Sequence, residues 1–210
     1  MALPEMGLSY LALGDSYTIG EAVAENGRWP VQLAAGLRAQ GVGLADPRII
    51  ATTGWTTDEL ATALDLSEPL GEWDFVSLLI GVNNQYRGRS APQYAGEFRQ
   101  LLQRALGYAR GRRARVLVLS IPDWGATPFG AKDARGAAVI GAELDAFNAA
   151  AQRLCAEYGV AYVDIAPVSR RLGSDAAMLA DDGLHPSAAM YAEWTALALP
   201  VARGLLTDAA

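Results

Sequence analysis

Five short apolar runs recur along the chain, at residues 8–13, 48–52, 74–80, 115–121 and 160–165, and stretches of helical periodicity lie between them. Leu33 and Leu37 share a face after the first run. Leu60 and Leu64 do so after the second, and Tyr94, Phe98 and Leu101 after the third. Ile140, Leu144, Phe147, Ala151, Leu154 and Tyr158 repeat at three or four residues after the fourth. Strand alternating with helix predicts an α/β protein: a five-stranded parallel sheet with helices on both faces, a three-layer α/β/α sandwich. The near-continuous apolar character of the runs suits strands covered on both sides. No linker or repeat interrupts the pattern, so residues 1–210 read as a single domain.

Local signals place the helix ends. Pro30 suits a first helical turn, and Gly41 suits a stop. Thr56 and Glu59 have the spacing of a capping box, as do Ser90 and Gln93. Ser187 is expected to cap the last helix, with Met190, Trp194, Leu197, Val201 and Leu205 inward. Pro200 is expected to kink that helix or end it early.

Composition narrows the function classes. Of the 210 residues, 51% are hydrophobic and 19% charged, which suits a chain with a real core. The formal net charge of −6 speaks against nucleic acid as a partner. Arg110, Arg112, Arg113 and Arg115 form the basic cluster and read as a solvated turn before a strand. Cys155 is the single cysteine and reads as a buried core thiol. The amino terminus lacks the basic start and long apolar segment of a leader. No stretch approaches the ~20 apolar residues of a spanning helix. The expectation is a soluble cytoplasmic protein with no transmembrane segment.

The chemistry concentrates at two places. The first apolar run ends in Gly14-Asp15-Ser16, which delivers a hydroxyl to the carboxyl end of a strand, where open α/β sheets hold their sites. Far along the chain, Asp182-Gly183-Leu184-His185-Pro186 contains the only histidine. Ser16, His185 and Asp182 are therefore candidates for nucleophile, base and orienting carboxylate. Asp15 reads as a structural acceptor for loop N–H groups. No His/Cys cluster suits zinc, no Gly-Lys-Ser/Thr loop suits a nucleotide phosphate, and no Gly-x-Ser-x-Gly elbow is present. A metal or other cofactor is not expected.

Four signatures in order resemble those of the SGNH hydrolases, also called GDSL-type esterases and lipases. Gly14-Asp15-Ser16 matches the nucleophile motif. Gly54, after the second run, matches the oxyanion-hole glycine. Gly81-Val82-Asn83-Asn84 matches the third signature, with its asparagine at Asn83. Asp182-Gly183-Leu184-His185-Pro186 matches the last. Tyr17 stands where the family name implies leucine, and Asn84 where aspartate is typical. The resemblance implies a flavodoxin-like sheet and metal-free hydrolysis of small-molecule carboxylic esters. It implies an oxyanion hole built from the N–H groups of Ser16 and Gly54 and the amide of Asn83. Small or medium acyl esters are the first expectation, with thioesterase, lysophospholipase and carbohydrate acetylesterase open beside it. A flavin- or phosphate-binding module is the rival of a different class, on the strength of Ser16-Tyr17-Thr18. Trp55, Trp124 and Phe129 are candidates for the substrate pocket.

Overall fold

The apolar runs become five parallel strands: β1 (Tyr10–Gly14), β2 (Arg48–Ala51), β3 (Phe75–Leu79), β4 (Val116–Leu119) and β5 (Ala161–Val163). The computed structural model describes residues 7–207; residues 1–6, read above for a leader, lie outside the described residues. Each strand is shorter than its apolar run because the chain leaves the ladder before it leaves the core. Ile80, Ile121 and Ile165 follow strand ends and remain buried.

The sheet order is β2-β1-β3-β4-β5. Gly14, the last residue of β1, lies level with Ala51 of β2 and Leu79 of β3. The carboxyl ends of three strands thus meet at one place. The connection from β1 runs one way along the sheet and the return to β3 runs the other. That reversal opens a crevice at the strand ends, the usual ligand position in such sheets.

The α-helices are α1 (Ser16–Ile19), α2 (Trp29–Ala39), α3 (Thr57–Ser67), α4 (Val82–Tyr86), α5 (Ala91–Tyr108), α6 (Ala137–Tyr158), α7 (Ala166–Leu172) and α8 (Ala188–Thr207). α2 and α8 pack together as one outer layer, while α5 packs against α3 and α6 as the other. Pro30 lies in the first turn of α2. The capping box at the start of α3 forms as its spacing predicts, with Thr56 and Glu59 reciprocally bonded. Ser90 accepts from the Gln93 N–H at 3.3 Å to open α5. Ser187 Oγ accepts from the Met190 N–H at the start of α8. Cys155 is buried in α6, and burial pushes its thiol up to about 12.

α8 departs from its sequence reading in two ways. Its buried stripe runs through Met190, Tyr191, Trp194, Thr195, Ala198, Ala202 and Leu206, and Leu197 is exposed. Pro200 does not end the helix, which continues to Thr207. Proline at 200 removes the donor that would meet the Ala196 carbonyl, but both residues lie on the exposed side, where water can meet that carbonyl. Ala202 and Leu206 beyond it are buried and keep the last turns packed on the core. Among the described residues no helix is long and apolar enough to cross a membrane.

Candidate active site

Gly14 closes β1 because the turn leaves no room for a side chain. A Cβ there would sit 2.2 Å from Thr18 Oγ1 and 2.5 Å from the Leu79 carbonyl. The chain then turns into α1, capped by Asp15, whose Oδ1 accepts the Tyr17 N–H at 3.0 Å. Ser16 opens the helix, almost fully buried at the floor of a cleft of about 210 Å³.

Asp15 is wholly buried, and that burial pushes its carboxyl up to about 7 against the hydrogen bonds from backbone N–H groups. The unfolded carboxyl ionises near 3.8, so the folded protein holds a proton that the unfolded chain releases. Stability contributed by this site therefore falls as pH rises from 3.8 to about 7 and is flat above. The Asp15→Asn variant is expected to gain Tm relative to the parent across that window. Parallel Tm-against-pH curves for the two proteins would remove Asp15 as the cause.

The loop after β2 supplies Thr53 and Gly54. Gly54 takes φ +89°, a conformation glycine tolerates and side chains resist. Arg87 Nη2 donates to the Gly54 carbonyl at 2.7 Å and Arg87 Nη1 to Glu59 at 3.1 Å, which pins the peptide from outside. The loop after β3 supplies α4, where neighbouring asparagines diverge. Asn83 faces the cleft and its Nδ2 donates to the Trp55 carbonyl at 2.9 Å. Asn84 points inward and is wholly buried.

Asn84 resolves the departure from aspartate. Its Oδ1 accepts the Thr57 N–H at 3.0 Å, and its Nδ2 donates to Thr57 Oγ1 at 2.6 Å and to Glu97 Oε2 at 3.1 Å. The Thr57 hydroxyl also donates to Glu97. An amide serves as acceptor and donor at once, while a carboxylate at 84 would face the Glu97 carboxylate. The negative charge of this network comes from α5.

Asp182 and His185 share one loop. Asp182 Oδ1 accepts the N–H groups of Leu184 and His185, both at 2.9 Å, and Oδ2 meets His185 Nδ1 at 2.5 Å. Burial raises the Asp182 carboxyl, but the bonds from the His185 ring and the two N–H groups outweigh it and hold it below its ordinary value. The His185 ring lies against Tyr17, with centroids 6.1 Å apart, and Tyr17 in turn meets Trp194 edge-on at 5.9 Å. Tyr17 is thus a wedge between the histidine and the core.

The structure brings Ser16, Gly54, Asn83 and His185 to one cleft, with Trp124 and Phe129 on its wall. Trp55 does not join them. Its backbone carbonyl holds Asn83, but its side chain borders a separate depression beside Asp58, Thr62 and Leu66. The left-handed turn at Gly54 sends the next side chain away from the cleft. The sequence reading missed Tyr17, Thr53, Val82, Tyr86 and Leu184 as lining residues. Tyr86 had a usable signal, because it stands three residues after Asn83 on the same helix face. Among the described residues no group of three or more His, Cys, Asp or Glu side chains is placed to hold a metal ion.

Residues 12–193 match the model of the GDSL-like lipase/acylhydrolase family. The fold is similar to that of TesA, at 20% identity and a TM-score of 0.72, covering 94% of this chain and 99% of that one. It is also similar to a lipase/acylhydrolase from Enterococcus faecalis, at 22% identity and a TM-score of 0.67 over 95% and 97% of the two chains. An acetyl xylan esterase from Geobacillus stearothermophilus gives 19% identity and a TM-score of 0.69 over 93% and 94%. No curated protein matches the sequence.

Proposed function

The chain belongs to the GDSL-like lipase/acylhydrolase family, and from that premise we propose that it hydrolyses small or medium acyl esters through Ser16, His185 and Asp182. One observation carries the reading: a single cleft is lined by Ser16, Gly54, Asn83 and His185, with the His185 ring bound to Asp182 at 2.5 Å. The lining residues include hydroxyl, amide, imidazole and aromatic groups and neither lysine nor arginine. That chemistry suits a neutral ester better than a phosphate or flavin phosphate.

The proposed reaction runs in two halves. Asp182 Oδ2 accepts a hydrogen bond from the Nδ1–H of His185, which leaves Nε2 with a lone pair. Nε2 removes the proton of Ser16 Oγ as the oxygen attacks the ester carbonyl. Negative charge moves to the carbonyl oxygen, and the N–H groups of Ser16 and Gly54 and the Asn83 amide stabilise it there. His185 then returns the proton to the departing alcohol, and an acyl group remains on Ser16. Water enters, gives a proton to His185 as its oxygen attacks the acyl carbonyl, and His185 returns that proton to Ser16 Oγ as the ester bond to it breaks and the acid leaves.

An active-site-directed fluorophosphonate tests the assignment. Ser16 is expected to carry the label, and Ser16→Ala protein to remain unlabelled, by mass mapping of the peptide. Label on another serine with Ser16 untouched would overturn the nucleophile.

A further inference from the structure

The cleft ends against a second, smaller cavity. This second cavity holds about 10 Å³, barely the space of one water, and is bordered mainly by apolar side chains such as Leu179, Met190 and Trp194. Three residues line both spaces and stand between them: Tyr17, Trp124 and Leu184. The exposed rim of the cleft includes Tyr86 and Phe129, which are 48% and 38% exposed and whose rings meet Trp124 at 5.5 and 6.0 Å.

The partners of the three residues differ in kind. Trp124 is fixed: its Nε1 donates to Gln85 Oε1 at 2.8 Å, and Gln85 Nε2 donates to Glu143 at 2.6 Å. Its ring meets Tyr86 edge-on at 5.5 Å, and the Arg135 guanidinium lies over it at 5.2 Å. Tyr17 is wedged between His185 and Trp194. Leu184 is a partly buried apolar side chain, and the hydrogen bond from its residue to Asp182 comes from the backbone.

The order of product release gives the two ends of the cleft different uses. The alcohol must reach water while the acyl group is still bound to Ser16, so the exposed rim suits the alcohol. The end walled by Tyr17 and Trp124, both 3% exposed, suits the acyl chain, which leaves last. Resting on the esterase reading above, we propose that Tyr17, Trp124 and Leu184 form a partition that stops the acyl chain and restricts the enzyme to short acyl groups, acetyl to butyryl. Leu184 is its removable part: without that side chain, the cleft runs into the cavity bordered by Leu179 and Met190.

The test uses p-nitrophenyl esters from acetate to decanoate. The parent enzyme is expected to show its highest kcat/KM between acetate and butyrate. In Leu184→Ala the octanoate-to-butyrate ratio of kcat/KM rises about tenfold or more, the scale on which apolar pockets discriminate methylenes. Leu184→Val, a milder change, gives an intermediate shift and serves if the alanine variant folds poorly. Adding Leu179→Phe to Leu184→Ala refills the second cavity and lowers the ratio again, which general loosening of the site does not explain. A parallel series varies the alcohol at a constant butyryl group and is expected to show no shift. Any of three results overturns the partition: equal parent rates on octanoate and butyrate, an unchanged ratio in folded Leu184 variants, or a shift that follows alcohol length. If the parent cleaves no ester and Ser16 takes no fluorophosphonate, the esterase reading fails and the partition falls with it; normal labelling with an unshifted profile removes the partition alone.

Discussion

His185→Ala protein is expected to stay folded and to lose on the order of 10⁶ in kcat for ester hydrolysis, the scale seen when a triad base is removed. That corresponds to about 8 kcal/mol of lost transition-state stabilisation. The structure makes the loss specific to chemistry. The imidazole is held by one side-chain partner, the Asp182 carboxylate, and by its packing against Tyr17. The loop keeps its shape without the ring, because Asp182 Oδ1 still accepts the N–H groups of residues 184 and 185. Asp182→Asn is the informative partner. The two N–H donors claim one oxygen, so the amide nitrogen would stand where Oδ2 now meets Nδ1. An N–H group facing Nδ1 forces the proton onto Nε2, the atom that must be free to act as base. The expected cost is about 10⁴ in kcat, as for the same tautomer inversion in other triads. Ser16→Ala combined with His185→Ala is expected to be no worse than either alone, since the residues act as one unit. Circular dichroism and steady-state kinetics on the four variants check this. Near-parent kcat in folded His185→Ala would remove it as the base.

Much of this arrangement was legible in the chain because it rests on local rules. An apolar run of five to seven residues between helical periods has few other fates than a buried parallel strand, and all five became one. The capping box of Thr56 and Glu59 formed because both partners lie within one turn. What the sequence hid depends on direction in three dimensions. In α8, apolar residues occupy almost every position, so several stripes look equally apolar. Packing against α2 selected the one through Tyr191, Thr195, Ala198 and Ala202 and left Leu197 outside. Trp55 follows a residue at φ +89°, and no periodicity rule tells where a side chain points after such a turn. Tyr17 stood out only as a departure from leucine and Leu184 only as part of the last signature, yet both line the cleft because the residues beside them do. Asn84 looked like a lost carboxylate until Glu97, 13 residues away, supplied the charge.

Asn83→Ala separates a role in the transition state from a role in holding the loop. The Asn83 amide has two N–H donors, and one of them is given to the Trp55 carbonyl at 2.9 Å. That bond fixes the amide's orientation and leaves the second donor on a side chain that lines the cleft beside Ser16 and Gly54. A donor aimed at the carbonyl oxygen gains most when that oxygen becomes an oxyanion, so its loss is expected in kcat and hardly in KM. The expected cost is about 10²–10³ in kcat, or roughly 3–4 kcal/mol, the usual magnitude for one such donor. The neighbouring Asn84→Ala supplies the contrast. Asn84 is wholly buried, and its removal strips the Thr57 N–H of its acceptor and Glu97 of a donor. Leaving such groups unpaired costs about 1–3 kcal/mol each, so this variant is expected to lose Tm, and its activity per folded molecule falls less than that of Asn83→Ala. Thermal melts and steady-state kinetics on both proteins decide the matter. If Asn83→Ala melts early and keeps its kcat, the side chain only ties the β3 loop to the Trp55 carbonyl, and the oxyanion would depend on the backbone N–H groups of Ser16 and Gly54.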